Sequence, residues 1–256
     1  MRLAALFLFM AVTAAAAENW KLVWSDEFDG VNGSAPDAHK WAYDLGSNGW
    51  GNQELETYTA ARDNSFLDGG GHLVIRAIKT AAGYTSARLK TQGLYSVAYG
   101  RVAARLKLPK GQGIWPAFWI LGDNIKTADW PACGEIDIME FIGKTPHTVY
   151  FTLHGPGYSG GKGISTSAPL AGTDEFHVYG IEWTPESLTF LLDDQPVRTL
   201  TRKDLPAGAK WVYDHPHFVL LNLAVGGAWP GNPDATTVFP QDYVIDWVRA
   251  WQRETK

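Results

Sequence analysis

The chain has 256 residues, a net charge of −5 and no block of basic residues. Nucleic acid and anionic membranes are therefore poor partners, because both attract clustered positive charge. The one cysteine, Cys133, excludes an internal disulfide, and we interpret it as an inert small residue rather than a nucleophile.

Residues 1–17 have the layout of a secretory signal peptide. Arg2 precedes an apolar run from Leu3 to Val12, and small residues follow up to Ala17. This run is too short to span a bilayer, so a membrane anchor is the less favoured alternative. We expect cleavage after Ala17 and secretion to the periplasm or the extracellular space.

Strand-like runs separated by turn signals fill the rest of the chain. In chain order they are HLVIRAI, YGRVAARLKL, TVYFTLHG, FHVYGIEW, LTFLLDD, HFVLLNLAV and YVIDWVRAWQ. This pattern predicts an all-β protein, an antiparallel β-sandwich of the jelly-roll type. We expect one domain over residues 18–256, since sandwiches of this size are usually single domains.

Tryptophan is unusually abundant, with twelve residues. Its side chain is rarely fully buried and is favoured where one surface stays wet. The count therefore indicates a binding groove, which a curved sandwich would provide on its concave face.

The segment GEIDIMEFIG, residues 134–143, places Glu135, Asp137 and Glu140 among apolar residues. Residues two apart share a face of a regular strand, so Glu135 and Asp137 point the same way and Glu140 points towards the core. A β-bulge near Ile138 and Met139 would restore the phase and bring all three acids onto the groove face.

Three acids on one face suit glycoside hydrolysis, which needs two carboxyl groups flanking the scissile bond. Asp137, between the two glutamates, would raise the pKa of one while the other stays ionised. A solvated strand face and a metal cluster are the alternatives. The first explains neither the apolar neighbours nor the phase of Glu140, and the second lacks the usual histidine partners.

The sequence resembles glycoside hydrolase family 16, and its laminarinase-like endo-β-1,3-glucanases in particular. The resemblance rests on WPACGEIDIMEFIG with the spacing E-x-D-x-x-E, and on WSDEFDG, GWGNQELETYT, YGRVAARLKLPKGQGIWPAFWILG, NLAVGGAWPG and YVIDWVRAWQ. It implies a catalytic domain that cleaves β-glucan internally with retention and needs no cofactor. Glu135 would be the nucleophile, Glu140 the general acid/base, and Asp137 would tune the nucleophile.

Seven further positions are predicted to bind substrate. Trp115 and Trp119, four residues apart, would share the groove face, although Pro116 makes a regular strand doubtful there. His154 ends TVYFTLHG on the face opposite three apolar residues, which favours the groove over a structural role. The others are Trp130 and Trp229, and by motif alone Asn48 and Arg88.

The resemblance also implies a structural calcium ion away from the cleft. The matching positions are Glu27 and Gly71, through backbone carbonyls, and Asp246, through its carboxylate. Oxygen donors suit this hard cation, and the alternative is an empty site with Asp246 hydrogen-bonded locally.

The functional prediction is a secreted, monomeric, retaining endo-β-glucanase acting on β-1,3-glucosidic bonds of laminarin or of mixed-linkage β-1,3-1,4-glucan. One alternative is a non-catalytic β-glucan-binding module, which would not need both Glu135 and Glu140. Others are an enzyme for another β-glycan, such as agarose or carrageenan, or a transglycosylase.

Overall fold

The computed structural model describes residues 19–254. The predicted signal peptide, residues 1–17, lies outside this range. Among residues 19–254, no helix combines the length and the apolar character needed to cross a membrane.

Seventeen strands account for the regular structure of the described residues, with only short helical turns between them. The strands of the first half are β1 (Trp20–Asp26), β2 (Ala42–Asp44), β3 (Glu56–Tyr58), β4 (Ser65–Leu67), β5 (Leu73–Thr80), β6 (Gly83–Ser86), β7 (Arg88–Lys90), β8 (Gly100–Lys107) and β9 (Ile114–Gly122). Those of the second half are β10 (Glu135–Phe141), β11 (Thr148–His154), β12 (Ile164–Pro169), β13 (His177–Trp183), β14 (Ser187–Leu192), β15 (Gln195–Thr201), β16 (His217–Val225) and β17 (Gln241–Arg253). The helical turns are α1 (Ile125–Ala128) and the 3-10 turns Gly49–Gly51, Gly160–Lys162 and Arg202–Asp204.

The strands form two sheets. The ten-stranded sheet has the order β15-β14-β13-β8-β17-β5-β6-β3, with β1 paired to β17 and β4 paired to β5. The seven-stranded sheet has the order β12-β11-β10-β9-β16-β7-β2. Among the described strands, pairing is antiparallel except between β3 and β6. The predicted antiparallel jelly-roll sandwich is confirmed.

The core lies between the two sheets and is formed by alternate side chains of their strands. Val102, Ala104 and Leu106 of β8 are fully buried on one side, and Ile120 and Ile136 of the seven-stranded sheet are fully buried on the other. Successive side chains of a strand point to opposite faces, so each of these strands also presents residues outward. The outer face of the seven-stranded sheet has its own small apolar cluster: Ala117, Trp119, Leu121, Cys133, Phe218 and Leu220.

Strand β9 contradicts one expectation from the sequence, because it passes through Pro116 without interruption. Pro116 lies opposite Leu223 of β16, whereas pairing with β10 reaches only as far as Ala117. Pro116 therefore lies just past the end of the hydrogen-bonded ladder between β9 and β10. The N–H that proline lacks disturbs a sheet least at such a position.

Strand β17 contains an irregularity that the sequence did not reveal. Its register with β8 shifts between Ile245 and Trp247. Ile245 is buried before the shift, and Val248 and Ala250 are buried after it, so the inward phase changes at Asp246. The outward positions that follow are Trp247, Arg249 and Trp251.

Candidate active site

Strand β10 carries a β-bulge at Ile138 and Met139. Asp137 and Glu140 are three residues apart, yet they pair with residues of β11 that are only two apart. The register with β9 shifts in the same place. Ile138 and Met139 are both fully buried in the core. The predicted bulge is therefore confirmed, because two successive residues point inward where regular alternation allows one.

The bulge brings Glu140 onto the same outer face as the other two acids. The indole N–H of Trp115 donates to Glu140 Oε1 at 3.1 Å. On the same face, His154 Nε2 lies 3.2 Å from Asp137 Oδ2 and 3.7 Å from Glu135 Oε1. The acids thus form one group, and both Trp115 and His154 lie beside it as the sequence predicts.

The surroundings of the acids favour their protonated forms. Burial, with the Asp137 charge adding to it, raises the pKa of Glu135 to about 8, and His154 and Arg88 oppose this rise. Burial also raises the pKa of Asp137 to about 8 and holds that of Glu140 well above its ordinary range, with Asp137 adding there as well. Adjacent carboxyl groups cannot all ionise at neutral pH, so the group shares protons.

An aromatic wall stands beside Glu140. The Trp229 ring meets the Trp115 ring edge-on, with centroids 5.5 Å apart, and meets the Tyr150 ring at 5.0 Å. Tyr150 lies directly opposite Glu140 in the sheet and was not predicted. The signal was present, because strict alternation in TVYFTLHG places Tyr150 on the same face as His154.

A second set of contacts fixes Trp119 and Arg88. The Trp119 indole N–H donates to Asn222 Oδ1 at 2.7 Å, and the Asn222 amide donates to the Tyr58 hydroxyl at 3.1 Å. The Arg88 guanidinium lies between two rings, 4.8 Å from the centroid of Trp50 and 4.7 Å from that of Trp119. Asn222 was missed, although it is the one polar residue in FVLLNLAV, and such an isolated polar group signals a buried hydrogen bond.

Trp130 and Asn48 occupy the periphery. Trp130 is 47% exposed, and its ring centroid lies 6.1 Å from that of His154. An exposed aromatic ring next to buried acids provides a surface on which a ligand can stack. The Asn48 side chain accepts the backbone N–H of Trp50 at 3.1 Å, so Asn48 is linked to the site through the loop that holds Trp50.

Cys133 is buried in the outer-face cluster with Trp119, just before strand β10. Burial, with the charge of Glu135 adding to it, raises the pKa of its thiol to about 11. A thiol that stays protonated at neutral pH is a poor nucleophile, so the inert role predicted for Cys133 is supported.

The positions predicted to hold calcium belong to the ten-stranded sheet and the segments beside it: Asp246 lies in β17, Glu27 follows β1 and Gly71 precedes β5. The Asp246 carboxylate pairs with Arg105, and its other oxygen is 4.0 Å from His72 Nε2. The Glu27 carboxylate pairs with Arg249. The carboxylate of Asp246 is thus already paired with Arg105, and this arrangement does not fit an ion unless Arg105 moves away.

The acids themselves could also attract a metal. Glu135, Asp137 and His154 offer ligand atoms that all lie within 4.8 Å of one another. Geometry alone therefore leaves open both chemistries, acid–base hydrolysis and a metal cluster.

Comparison with known proteins separates the two. Residues 52–249 match the glycosyl hydrolases family 16. A beta-glucanase of Rhodothermus marinus is 44% identical over 92% of this chain and 86% of its own length. A glucan endo-1,3-beta-glucosidase of Cryptopygus antarcticus is 35% identical over 95% and 96%, respectively. The solved laminarinase catalytic domain of Thermotoga maritima superposes with a TM-score of 0.87 at 45% identity, covering 93% of this chain and 100% of that one.

A sandwich with a bulged acidic strand and a tryptophan-lined outer face is the architecture of a polysaccharide-cleaving enzyme. The chain belongs to glycosyl hydrolase family 16. It is a glycoside hydrolase, and catalysis in this family needs no cofactor.

Proposed function

We propose that the chain is a retaining endo-β-1,3-glucanase that hydrolyses laminarin-type glucan through Glu135 and Glu140. The observation that carries the proposal is the bulge at Ile138 and Met139, which gives Glu140 the same outward direction as Glu135. The relatives named as glucanases and laminarinases support the substrate class.

In the first step the Glu135 carboxylate attacks the anomeric carbon, while Glu140 gives its proton to the glycosidic oxygen. The C–O bond breaks, the shortened chain leaves as an alcohol, and a glycosyl ester forms on Glu135. In the second step the Glu140 carboxylate takes a proton from water, and the water oxygen displaces Glu135. Two inversions at one carbon retain its configuration.

The neighbouring groups suit these roles. The raised pKa of Glu140 keeps its proton available at neutral pH, as a general acid requires. Burial and the Asp137 charge raise the pKa of Glu135 to about 8. His154 and Arg88 oppose that rise and so help to form the carboxylate that a nucleophile requires. Asp137, between the two glutamates in sequence and near His154, couples their protonation states.

The rings nearby would hold the sugar chain. Trp115, Trp229 and Tyr150 form a wall beside the proton donor, and Trp130 offers an exposed face beside His154. Amphipathic rings of this kind can contact the apolar faces of pyranose units while hydroxyls reach polar neighbours.

The test is incubation with laminarin, lichenan, agarose and chitin, with measurement of reducing ends. We expect the highest rate on laminarin, internal cleavage seen as an early fall in viscosity, and β-anomers as the first products in proton NMR. Inverted first products would refute the retaining mechanism. Activity confined to agarose or chitin would refute the substrate class.

The alternatives give different results in the same assays. A glucan-binding module would bind laminarin and release no reducing ends. A transglycosylase would release few reducing ends and lengthen a labelled acceptor oligosaccharide. A rate on lichenan close to that on laminarin would extend the substrate class to mixed-linkage glucan.

Secretion forms part of the proposal and is supported by the sequence of residues 1–17 alone. Expression of the full chain with fractionation of the host cells tests it. We expect the exported protein to begin at Glu18, as read by mass spectrometry. Retention of the uncleaved chain in the cytoplasm would refute export.

The proposal includes a calcium ion bound by Asp246, which requires that Arg105 first releases the Asp246 carboxylate. A ligand that binds only the folded state raises the melting temperature. Calorimetry with calcium and then with a chelator tests this. An unchanged melting temperature would mean that the Arg105 pair keeps the site closed.

A further inference from the structure

The outer face of the ten-stranded sheet carries a pocket that the hydrolytic chemistry does not use. Its volume is about 290 Å³, near the small end of ligand pockets, which span roughly 300–1,000 Å³. It lies on the opposite side of the core from strand β10, which belongs to the seven-stranded sheet. Its lining residues are Trp20, Arg101, Val178, Asp194, Trp247, Arg249 and Trp251.

Three of the lining residues are tryptophans, and none of them is fully buried. Trp247 and Trp251 lie four apart on β17, with ring centroids 6.2 Å apart and planes at 88°. They share a face by strand alternation, and the register shift at Asp246 turns that face outward. Trp20, the first residue of β1, comes from the neighbouring strand. Two strands and a bulge thus assemble a half-exposed aromatic surface.

Two small residues continue the row across the sheet that begins at Arg249. Ala103 of β8 lies opposite Arg249 of β17 on one side and Gly180 of β13 on the other. A Cβ placed on Gly180 would come within 3.0 Å of the Ala103 side chain. Neither of these two residues lines the pocket.

The charged groups around the pocket are balanced. The Arg249 guanidinium makes two hydrogen bonds to Glu27, at 2.9 and 2.6 Å, and lies 4.3 Å from the centroid of the Trp247 ring. Arg101 pairs with Asp194, and its guanidinium lies 5.6 Å from the centroid of the Trp251 ring. Because each arginine has an acidic partner, the pocket favours an uncharged polar ligand over a phosphate or sulfate.

We propose that this pocket is a second carbohydrate-binding site, which holds a neutral β-glucan chain away from the catalytic acids. A pyranose ring has apolar C–H faces for the tryptophans and hydroxyls for Arg101, Asp194 and Arg249. This inference rests on the proposed function, because the occupant is the same polymer. Two sites on one protein raise the effective concentration of a long or insoluble chain, and a short chain gains nothing.

The experiment uses the mature protein with the Glu135→Gln substitution, so that bound glucan is not degraded. Retention is measured in native gels containing laminarin and by sedimentation with insoluble β-1,3-glucan. Trp247→Ala and Trp20→Ala are expected to weaken retention by about fivefold each through the loss of an aromatic contact. Trp20 begins an edge strand, so its replacement tests the pocket even if Trp247→Ala does not fold.

The matched control is Val31→Ala, because Val31 is 78% exposed and does not line the pocket. We expect it to retain glucan like its parent. With Glu135 restored, the two tryptophan variants should cleave a soluble β-1,3-linked hexasaccharide with kcat/KM within about twofold of wild type. On insoluble glucan they should be slower.

Unchanged retention in both tryptophan variants would overturn the second site, and so would an equal loss in Val31→Ala. Failure of the proposed function is seen separately, because the protein with intact Glu135 would then release no reducing ends from laminarin. The retention comparison between variants and parent keeps its meaning in that case.

Discussion

Asp137 and Glu140 are three residues apart along β10, yet their partners on β11, Thr152 and Tyr150, are only two apart. This mismatch is the reason that both acids face outward. It also makes a direct test of the bulge available.

Deletion of Met139 should remove the bulge and keep the phase of the acids. The shortened strand would read GEIDIEFIG, with the acids at alternate positions, which share one face of a regular strand. We expect a folded, weakened protein with residual laminarin hydrolysis, measured by circular dichroism and reducing-end release. Deletion of Ile136, which lies before the bulge in a regular stretch, is the control and should disrupt the core.

Replacement of Glu135 by glutamine should leave the fold intact and abolish turnover. The amide matches the carboxylate in shape, but it cannot form a stable glycosyl ester. We expect laminarin hydrolysis to fall by at least about a thousandfold, with a melting temperature no lower than that of wild type. The exposed Glu175 offers a control, since Glu175→Gln should keep wild-type activity. Activity within about tenfold of wild type would reject Glu135 as the nucleophile.

Replacement of Asp137 by asparagine should move the pH profile of kcat/KM to lower pH. The Asp137 charge raises the pKa of both Glu135 and Glu140, after the larger effect of burial. Without that charge both glutamates ionise more readily, so the acidic limb and the basic limb move down together, by roughly one pH unit. If either limb of the pH profile stays in place or moves to higher pH, the Asp137 charge does not raise the pKa values of the two glutamates as described.

Glu56 should make the protein less stable as pH rises. The side chain is fully buried, and burial, with the Glu54 charge adding to it, raises the pKa of Glu56 from 4.5 to about 9. Between these values the folded state holds a proton that the unfolded state has lost, so the contribution of Glu56 to stability is greatest below pH 4.5 and is lost as the pH rises to about 9.

Glu56→Gln should therefore raise the melting temperature more at pH 9 than at pH 5. The amide oxygen can still accept the Val225 N–H, which now donates to Glu56 Oε2 at 2.7 Å. Thermal unfolding at the two pH values, with Glu175→Gln as control, measures the difference. An equal change at both pH values would mean that Glu56 is already ionised in the folded protein.

Local sequence signals determined much of this protein. Alternating and β-branched runs predicted the strands, and the phase of Glu140 relative to Glu135 predicted a bulge at Ile138 and Met139. Both follow from the two-residue period of a strand, which a sequence displays directly. The family resemblance added the cleft residues Asn48 and Arg88, which local pattern alone would have left on the surface.

Tertiary structure decided what depends on contacts between distant segments. Asn222 meets Trp119 and Tyr58 only because β16 lies beside β9 and the β3 segment folds across them. Strand β9 pairs with β16 through Pro116 without interruption, because the pairing of β9 with β10 ends at Ala117, before Pro116 is reached. The pocket on the ten-stranded sheet requires a bulge in β17 and the start of β1 beside it. The alternation of side chains along a strand shows which residues of that strand share a face. Only the packing of the strands against one another decides which residues of different strands come into contact.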